Sequence, residues 1–160
     1  MNKTLIVLLV VAVAVGIIIS MSSNFYKQPH VKVQALTFEK SGKMYEERIA
    51  VSPGIGMTLH AILEETNGAD ISLSEAGKCL CSFGIYNLSM SWNSSFACDK
   101  TIKANTRKTV SGTWDGLAYG TMLSEGNYKI YVMCGSEKME KDLVVKINAT
   151  DEECKDCIVT

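Results

Sequence analysis

From Leu5 to Ile19 every residue is Leu, Ile, Val, Ala or Gly, whereas from Val31 onward the chain breaks into short runs of alternating apolar and polar positions. The two patterns predict different things. A helix with no polar face has no place on the surface of a water-soluble core. Extended by Thr4, Ser20 and Met21, the first run is about 18 residues long, near the lower limit for crossing ~30 Å of hydrocarbon. Lys3 precedes it and Ser20 to Asn24 follow it, which is the layout of a secretory signal. Its length favours a retained signal anchor over residues 1–23, seated in the membrane through residues 4–21, with Lys3 on the cytoplasmic side. Cleavage after Ser20-Met21-Ser22 would instead release a secreted protein.

Residues 24–30 read as a linker. Val31, Val33 and Ala35 then share one face of a strand running to Lys40; the Ser41-Gly42-Lys43 turn leads into a second strand, Met44 to Val51, which Ser52-Pro53-Gly54 ends. Met57, Leu59, Ala61 and Leu63 alternate with Thr58, His60, Ile62 and Glu64, which predicts a strand. Leu59, Ile62 and Leu63 also fit a short helix behind a Thr58 cap. Asn67-Gly68 and Ala76-Gly77 predict turns. Cys79 to Ile85 and Leu88 to Trp92 predict strand pieces, with Leu88, Met90 and Trp92 on one face, and Asn93 to Lys100 a polar loop.

Thr101 to Trp114 holds one or two strands, ended by Asp115-Gly116. Tyr128 to Cys134 is the clearest strand, and a four-residue turn, Gly135 to Lys138, joins it to a last strand, Lys141 to Ile147. Seven to nine short strands with turns every ~8–12 residues predict an all-β domain, a β-sandwich, over residues 31–148. Residues 149–160 form a cysteine-containing tail. A helix over Thr58 to Glu65 would turn the prediction to a β-grasp fold.

Charge and composition narrow the function. Lys3 is one of 16 basic residues, and the rest face 17 acidic ones without a block of like charge, so the exported part has no footprint for nucleic acid. All six cysteines, Cys79, Cys81, Cys98, Cys134, Cys154 and Cys157, lie in that part. An even count outside the cytosol reads as disulfides, and six cysteines allow 15 pairings. Asn87, Asn93 and Asn148 head N-x-S/T sequons, which fits the same compartment.

Catalytic chemistry finds little support in the residues. Cys154-Lys155-Asp156-Cys157 has the C-x-x-C spacing of redox and zinc sites. It follows Asp151-Glu152-Glu153, however, and nearby acids raise a thiol pKa when a redox centre needs it lowered. Cys79 and Cys81 could complete a four-thiolate zinc site with it, against which oxidation outside the cell competes. His30 and His60 sit in no nucleophile or metal motif, and Gly54-Ile55-Gly56 lacks the third glycine of a dinucleotide loop. The expectation is no catalytic residue, no cofactor, no metal and no small-molecule substrate.

The stretch Thr113-Trp114-Asp115-Gly116, followed by Gly120, Leu123, Gly126 and Tyr128, resembles a motif of bacterial Ig-like domains. It is similar to the W-[DN]-G … G-x-x-[LV]-x-x-G-x-Y edge of the flagellar hook-capping protein's domain and of the intracellular proteinase inhibitor family. The resemblance covers residues 106–147 or so, and Ile49 to Gly54 adds a looser likeness to Ig-like adhesion modules. It implies an Ig-like sandwich in which Trp114 closes a strand against the core, Asp115 and Gly116 turn the chain, Gly120 and Gly126 allow tight turns, and the Tyr128 hydroxyl bonds backbone at a sheet corner. In antibody domains the corner tyrosine precedes the second cysteine by two residues. Here Tyr128 stands six before Cys134, so Cys81, Trp92 and Cys134 keep the order but not the local spacing, and an antibody-like bridge between the two sheets from Cys81 to Cys134 is not the favoured pairing.

The combined expectation is a membrane-anchored extracytoplasmic Ig-like module for protein–protein interaction or cell-surface structure, with another protein at the cell surface as its partner. The alternatives are a secreted inhibitor-like or accessory subunit, and a thiol-redox or zinc protein using Cys154 and Cys157.

Overall fold

In the computed structural model, which describes residues 30–149, the alternating runs become strands. In chain order they are β1 (Val31–Lys40), β2 (Lys43–Tyr45), β3 (Arg48–Val51), β4 (Met57–Glu65), β5 (Ile71–Ser72), β6 (Ser74–Glu75), β7 (Lys78–Cys79) and β8 (Cys81–Tyr86). They continue as β9 (Ser91–Ser95), β10 (Thr101–Ile102), β11 (Arg107–Trp114), β12 (Leu117–Ala118), β13 (Thr121–Met122), β14 (Gly126–Cys134) and β15 (Glu137–Val145). Two principal sheets carry the fold, one ordered β11-β4-β1-β2 and the other β3-β15-β14-β8-β9. Three two-stranded ladders, β5 with β10, β6 with β7 and β12 with β13, decorate them. β1 lies against β14 and β15 of the opposite sheet, and the apolar faces of both sheets form one core.

The central strand β4 shows how the pattern makes the core. Met57, Leu59, Ala61 and Leu63 all face inward and are buried, as a period of two requires. The same period carries Glu65 inward, the one buried charged side chain among the described residues. Its carboxylate accepts N–H bonds from Gly68 and Asn105, each at 2.9 Å, and from Asn67 at 2.5 Å. It thereby holds the β4–β5 connection against the turn before β11. Since no helix exists among the described residues, the β-grasp alternative falls. The Thr58 to Glu65 stretch pairs as strand with β1 on one side and β11 on the other.

Those bonds hold the Glu65 carboxyl below its ordinary value of 4.5, the Asn105 amide first, with burial opposing. A carboxyl whose folded pKa is depressed stabilises the fold above its unfolded pKa, and the contribution fades as pH falls through the folded value. Glu65→Gln is therefore expected to lower the urea midpoint at pH 7 and to shrink the loss that the native chain shows between pH 5 and pH 3. Parallel midpoint-against-pH curves for the two proteins would reject this.

Several boundaries differ from the periodicity reading. In β1 a bulge between Val33 and Ala35 shifts the register, so the inward face continues through Leu36 and Phe38 and not Ala35. One extra residue changes which parity faces the core. The expected strand Met44 to Val51 is two, split at Glu46-Glu47. β2 pairs with β1, while β3 crosses to the other sheet and pairs in parallel with β15. Leu88 lies in a turn and not on a strand face with Trp92; β9 begins at Ser91 and takes in Asn93 to Ser95 from the expected loop. The last hairpin closes through two residues, Gly135-Ser136, because Cys134 already pairs with Glu137.

Candidate interaction surface

The strand registers give the sandwich two distinct ends. At one, His30 leads into β1, Val31 pairs with Glu65 and Cys134 with both Cys81 and Glu137. At the other, Lys40, Val51, Met57, Trp114, Gly126 and Val145 start or end their strands. Of the six large apolar side chains that stand exposed among the described residues, Ile55, Leu88, Tyr119, Met122 and Ile147 sit on loops or the short hairpin at this second end; the sixth, Met133, does not. Single exposed apolar residues are ordinary, but a contiguous group of them marks an interaction surface.

Rigid backbone places each of these residues. Trp114 is buried and its indole N–H donates to Leu117 O at 2.7 Å, while Asp115 Oδ1 accepts the Leu117 N–H at 3.0 Å. Gly116 has φ +87°, and a Cβ built on it would lie 2.5 Å from the carbonyl carbon of Gly54. Only glycine lets the Ser52–Gly56 loop and the 115–122 segment touch backbone to backbone. Between β12 and β13, Tyr119 and Gly120 both hold positive φ, 54° and 75°, as a two-residue type I′ turn requires. The Tyr119 hydroxyl then donates to Ser91 O at 2.6 Å, fastening this hairpin to β9.

Beside it, Asn87 Oδ1 accepts the amides of Ser89 and Met90 at 2.9 and 3.0 Å. This side-chain turn presents Leu88 fully to solvent. Ile147 is held by its N–H bond to Glu125 at 2.7 Å. A groove of about 290 Å³ runs between Leu88, Asn127 and Asp142.

The other fold-signature residues support this end from below. Tyr128 is buried, and its hydroxyl donates to Ser124 O at 2.9 Å across the turn before β14. Tyr128→Phe is expected to cost about 1 kcal/mol of stability, the net worth of one such bond, read as a lowered urea midpoint with unchanged slope. Gly126 opens β14 opposite Val145 and is strand, not turn.

The cysteines pair as Cys79–Cys98 and Cys81–Cys134. The second bridge joins directly opposed residues of neighbouring strands β8 and β14, with Cα atoms 4.1 Å apart, within one sheet. The chain thus bridges the two cysteines of the antibody comparison without the antibody's inter-sheet geometry. Both sulfurs of Cys79 and Cys81 are used, which removes them from a four-thiolate site; Cys154 and Cys157, like residues 1–23 of the expected anchor, lie outside the described residues. Among the described residues no cluster of His, Cys, Asp or Glu could hold a metal, and no helix is long and apolar enough to cross a membrane. Asn87, Asn93 and Asn148 are at the turn just described, on β9, and in the exposed segment after β15.

Two polar constellations had no signal in the sequence. On the outer face of the four-stranded sheet, His60 Nδ1 is 2.8 Å from Ser111 Oγ and His60 Nε2 is 3.2 Å from Glu39. The three groups come from β4, β11 and β1, so no local motif could show them. An acyl-transfer triad also needs amides aimed at an oxyanion, and the β4 backbone is taken up by ladders on both sides. On the outer face of the other sheet, Lys138 Nζ lies 4.6 and 4.7 Å from the ring centroids of Tyr86 and Tyr131. Glu140 bonds both Lys138 and the Tyr86 hydroxyl, at 2.8 Å each. The Glu140 carboxyl is lowered, by Lys138 first and then Tyr86, and the Lys138 ammonium raised, by Glu140 first. This is a cation held over two rings, neutralised in place.

No family model and no curated protein matches the chain. Solved structures do. A domain of an alkylpurine DNA glycosylase from Pseudomonas fluorescens, solved bound to DNA containing an abasic site analog, superposes with a TM-score of 0.54 at 12% identity, over 74% of this chain and 31% of that one. The chain thus spans under a third of that enzyme, and the likeness is one of fold. The CARDB domain of a Pyrococcus furiosus protein aligns over 76% of this chain and 100% of that domain, with a TM-score of 0.38 and 10% identity. A β-glucosidase from Listeria innocua in complex with isofagomine aligns over 73% and 16%, with a TM-score of 0.42 and 7% identity.

Proposed function

We propose that this protein is a membrane-anchored, extracytoplasmic Ig-like module that binds a partner protein through the apolar loop end of its sandwich. One observation carries the reading: Ile55, Leu88, Tyr119, Met122 and Ile147 stand exposed together at the end opposite His30, where the chain arrives from its apolar segment. An anchor at residues 4–21 would join the sandwich at the His30 end, opposite these loops. Loops presented by a rigid two-sheet scaffold are a common way for such modules to bind. The strand arrangement supports the Ig-like assignment, since the chain changes sheets between β2 and β3 and β3 runs parallel to the final strand β15. The Trp114-Asp115-Gly116 turn and the Tyr128 corner bond belong to the same reading.

Two measurements test it on the full chain. Membrane fractionation with external protease should find the chain resistant to alkaline extraction and digestible from outside, and deletion of residues 4–21 should abolish membrane retention. Photo-crosslinkers at positions 88 and 122 should give a discrete adduct that a crosslinker at Thr66, on the opposite end, does not. Leu88→Asp with Met122→Asp should remove partner binding at least tenfold while leaving the unfolding midpoint unchanged, because both side chains are solvent-exposed. A soluble cytoplasmic chain, or equal crosslinking from both ends, would reject the proposal.

A further inference from the structure

β9 is the outermost strand of the five-stranded sheet, and its sequence, Ser91-Trp92-Asn93-Ser94-Ser95, contains no charge and no proline. Exposed strand edges pair with other chains unless something blunts them. The other edges are blunted. β2 has three residues and β3 four, the latter with Lys40 Nζ on Ala50 O at 2.7 Å. β11 opens with Arg107 and Lys108. On β9 the Tyr119 hydroxyl caps the Ser91 carbonyl, and the uncharged remainder of the strand carries a sequon that begins at its central residue, Asn93.

We infer that Asn93 carries an N-linked glycan whose structural role is to close the β9 edge. Asn93 and Ser95, the two chemistry-bearing positions of the sequon, are both exposed on the outward face of the strand. The cross-strand neighbour of Asn93 is Gly84, whose place on the outward face is filled by a side chain from the next strand. Over Gly84 lies the Tyr131 ring, whose Cζ would be 2.5 Å from a Cβ built there. Asn93 itself is exposed beside that ring, so a sugar on its amide projects into solvent from the outward face.

Asn87 differs, because its side chain is part of the turn that presents Leu88, so a sugar there would crowd the apolar loop end. In the transfer, Asn93 Nδ2 attacks the anomeric carbon of a polyisoprenoid (pyro)phosphate-linked oligosaccharide. A C–N bond forms, the anomeric C–O bond breaks, the lipid phosphate leaves with the electron pair and the amide proton passes to a base. The chemistry happens on the exported chain, so the inference rests on the proposed extracytoplasmic location.

The test is peptide mass spectrometry of the full chain from a glycosylating host, with alkylation reporting cysteine oxidation in the same sample, followed by analytical ultracentrifugation. Occupied Asn93 in most molecules is expected. Asn93→Gln should keep the unfolding midpoint yet self-associate at an at least tenfold lower concentration, and Asn93→Lys, which puts charge on the edge without a sugar, should restore the monomer. Unmodified Asn93 in a chain with oxidised cysteines overturns the inference alone; reduced cysteines with no sequon occupied overturn the export reading as well. Occupied Asn93 with an unchanged monomer in Asn93→Gln overturns the edge-closing role.

Discussion

Replacing Cys81 and Cys134 together by alanine is expected to destabilise the domain by about 4 kcal/mol, the loop-closure value for a bridge of this span. The two cysteines stand 53 residues apart in sequence and face each other across β8 and β14. The closed loop runs from the start of β8 to the end of β14, so without the bridge the unfolded chain regains the freedom of nearly half the domain. The native state loses little in exchange, because the β8–β14 ladder persists beside the missing bond. Removing Cys79 and Cys98, 19 residues apart, should cost about 3 kcal/mol by the same relation. The two losses should not add, since the segments overlap and the Cys79–Cys98 bridge shortens the loop that Cys81 and Cys134 close. Urea unfolding of the oxidised and variant proteins measures both; a loss under 1 kcal/mol for the Cys81–Cys134 pair would show that its strands are already held together in the unfolded chain.

Gly116→Ala should be nearly as damaging, at about 3 kcal/mol. Left-handed backbone costs a side chain of about 1–2 kcal/mol, and forcing atoms into a packed space adds about 1–3 kcal/mol. At Gly116 both penalties apply, since φ is +87° and the intruding Cβ meets Gly54 backbone, which cannot rotate away. Gly120→Ala is the internal control: its φ is +75°, but nothing lies within 4 Å of the added Cβ, so it should cost about 1 kcal/mol. Because Gly116 also holds the loop end together, the variant should lose partner binding before it unfolds, whereas the Gly120 variant should keep it. Equal midpoints for the two variants would mean that the Ser52–Gly56 loop yields freely, against the contact described here.

The all-β character was legible because alternation is a local property. β1 matches the expected Val31 to Lys40 run, β4 follows its apolar positions, and the Ser41-Gly42 and Ala76-Gly77 turns fall where small residues of permissive backbone stand. Where the reading slipped, a non-local cause won. The bulge after Val33 serves the pairing of β1 with β4, and the break at Glu46-Glu47 exists because β3 has a partner, β15, almost a hundred residues later. Leu88 looked like a strand residue by parity with Met90 and Trp92, yet the Asn87 side chain captures two amides and makes a turn of it.

From its sequence alone this protein has an apolar segment followed by an all-β domain, with cysteines and sequons suited to an oxidising compartment. Those properties reside in composition and in neighbours one to four residues apart. Only the tertiary structure decided which strands share a sheet, which cysteines meet and which exposed side chains gather. Ile55, Leu88, Tyr119, Met122 and Ile147 carry no common local signal; they share one end of the fold because two connections, the β12–β13 hairpin and the segment after β15 all lie at the same side of two packed sheets. The physical reason is the same for the buried Glu65. Its place was set by strand parity, but its amide partners come from turns up to 40 residues away, which only the packed fold brings together.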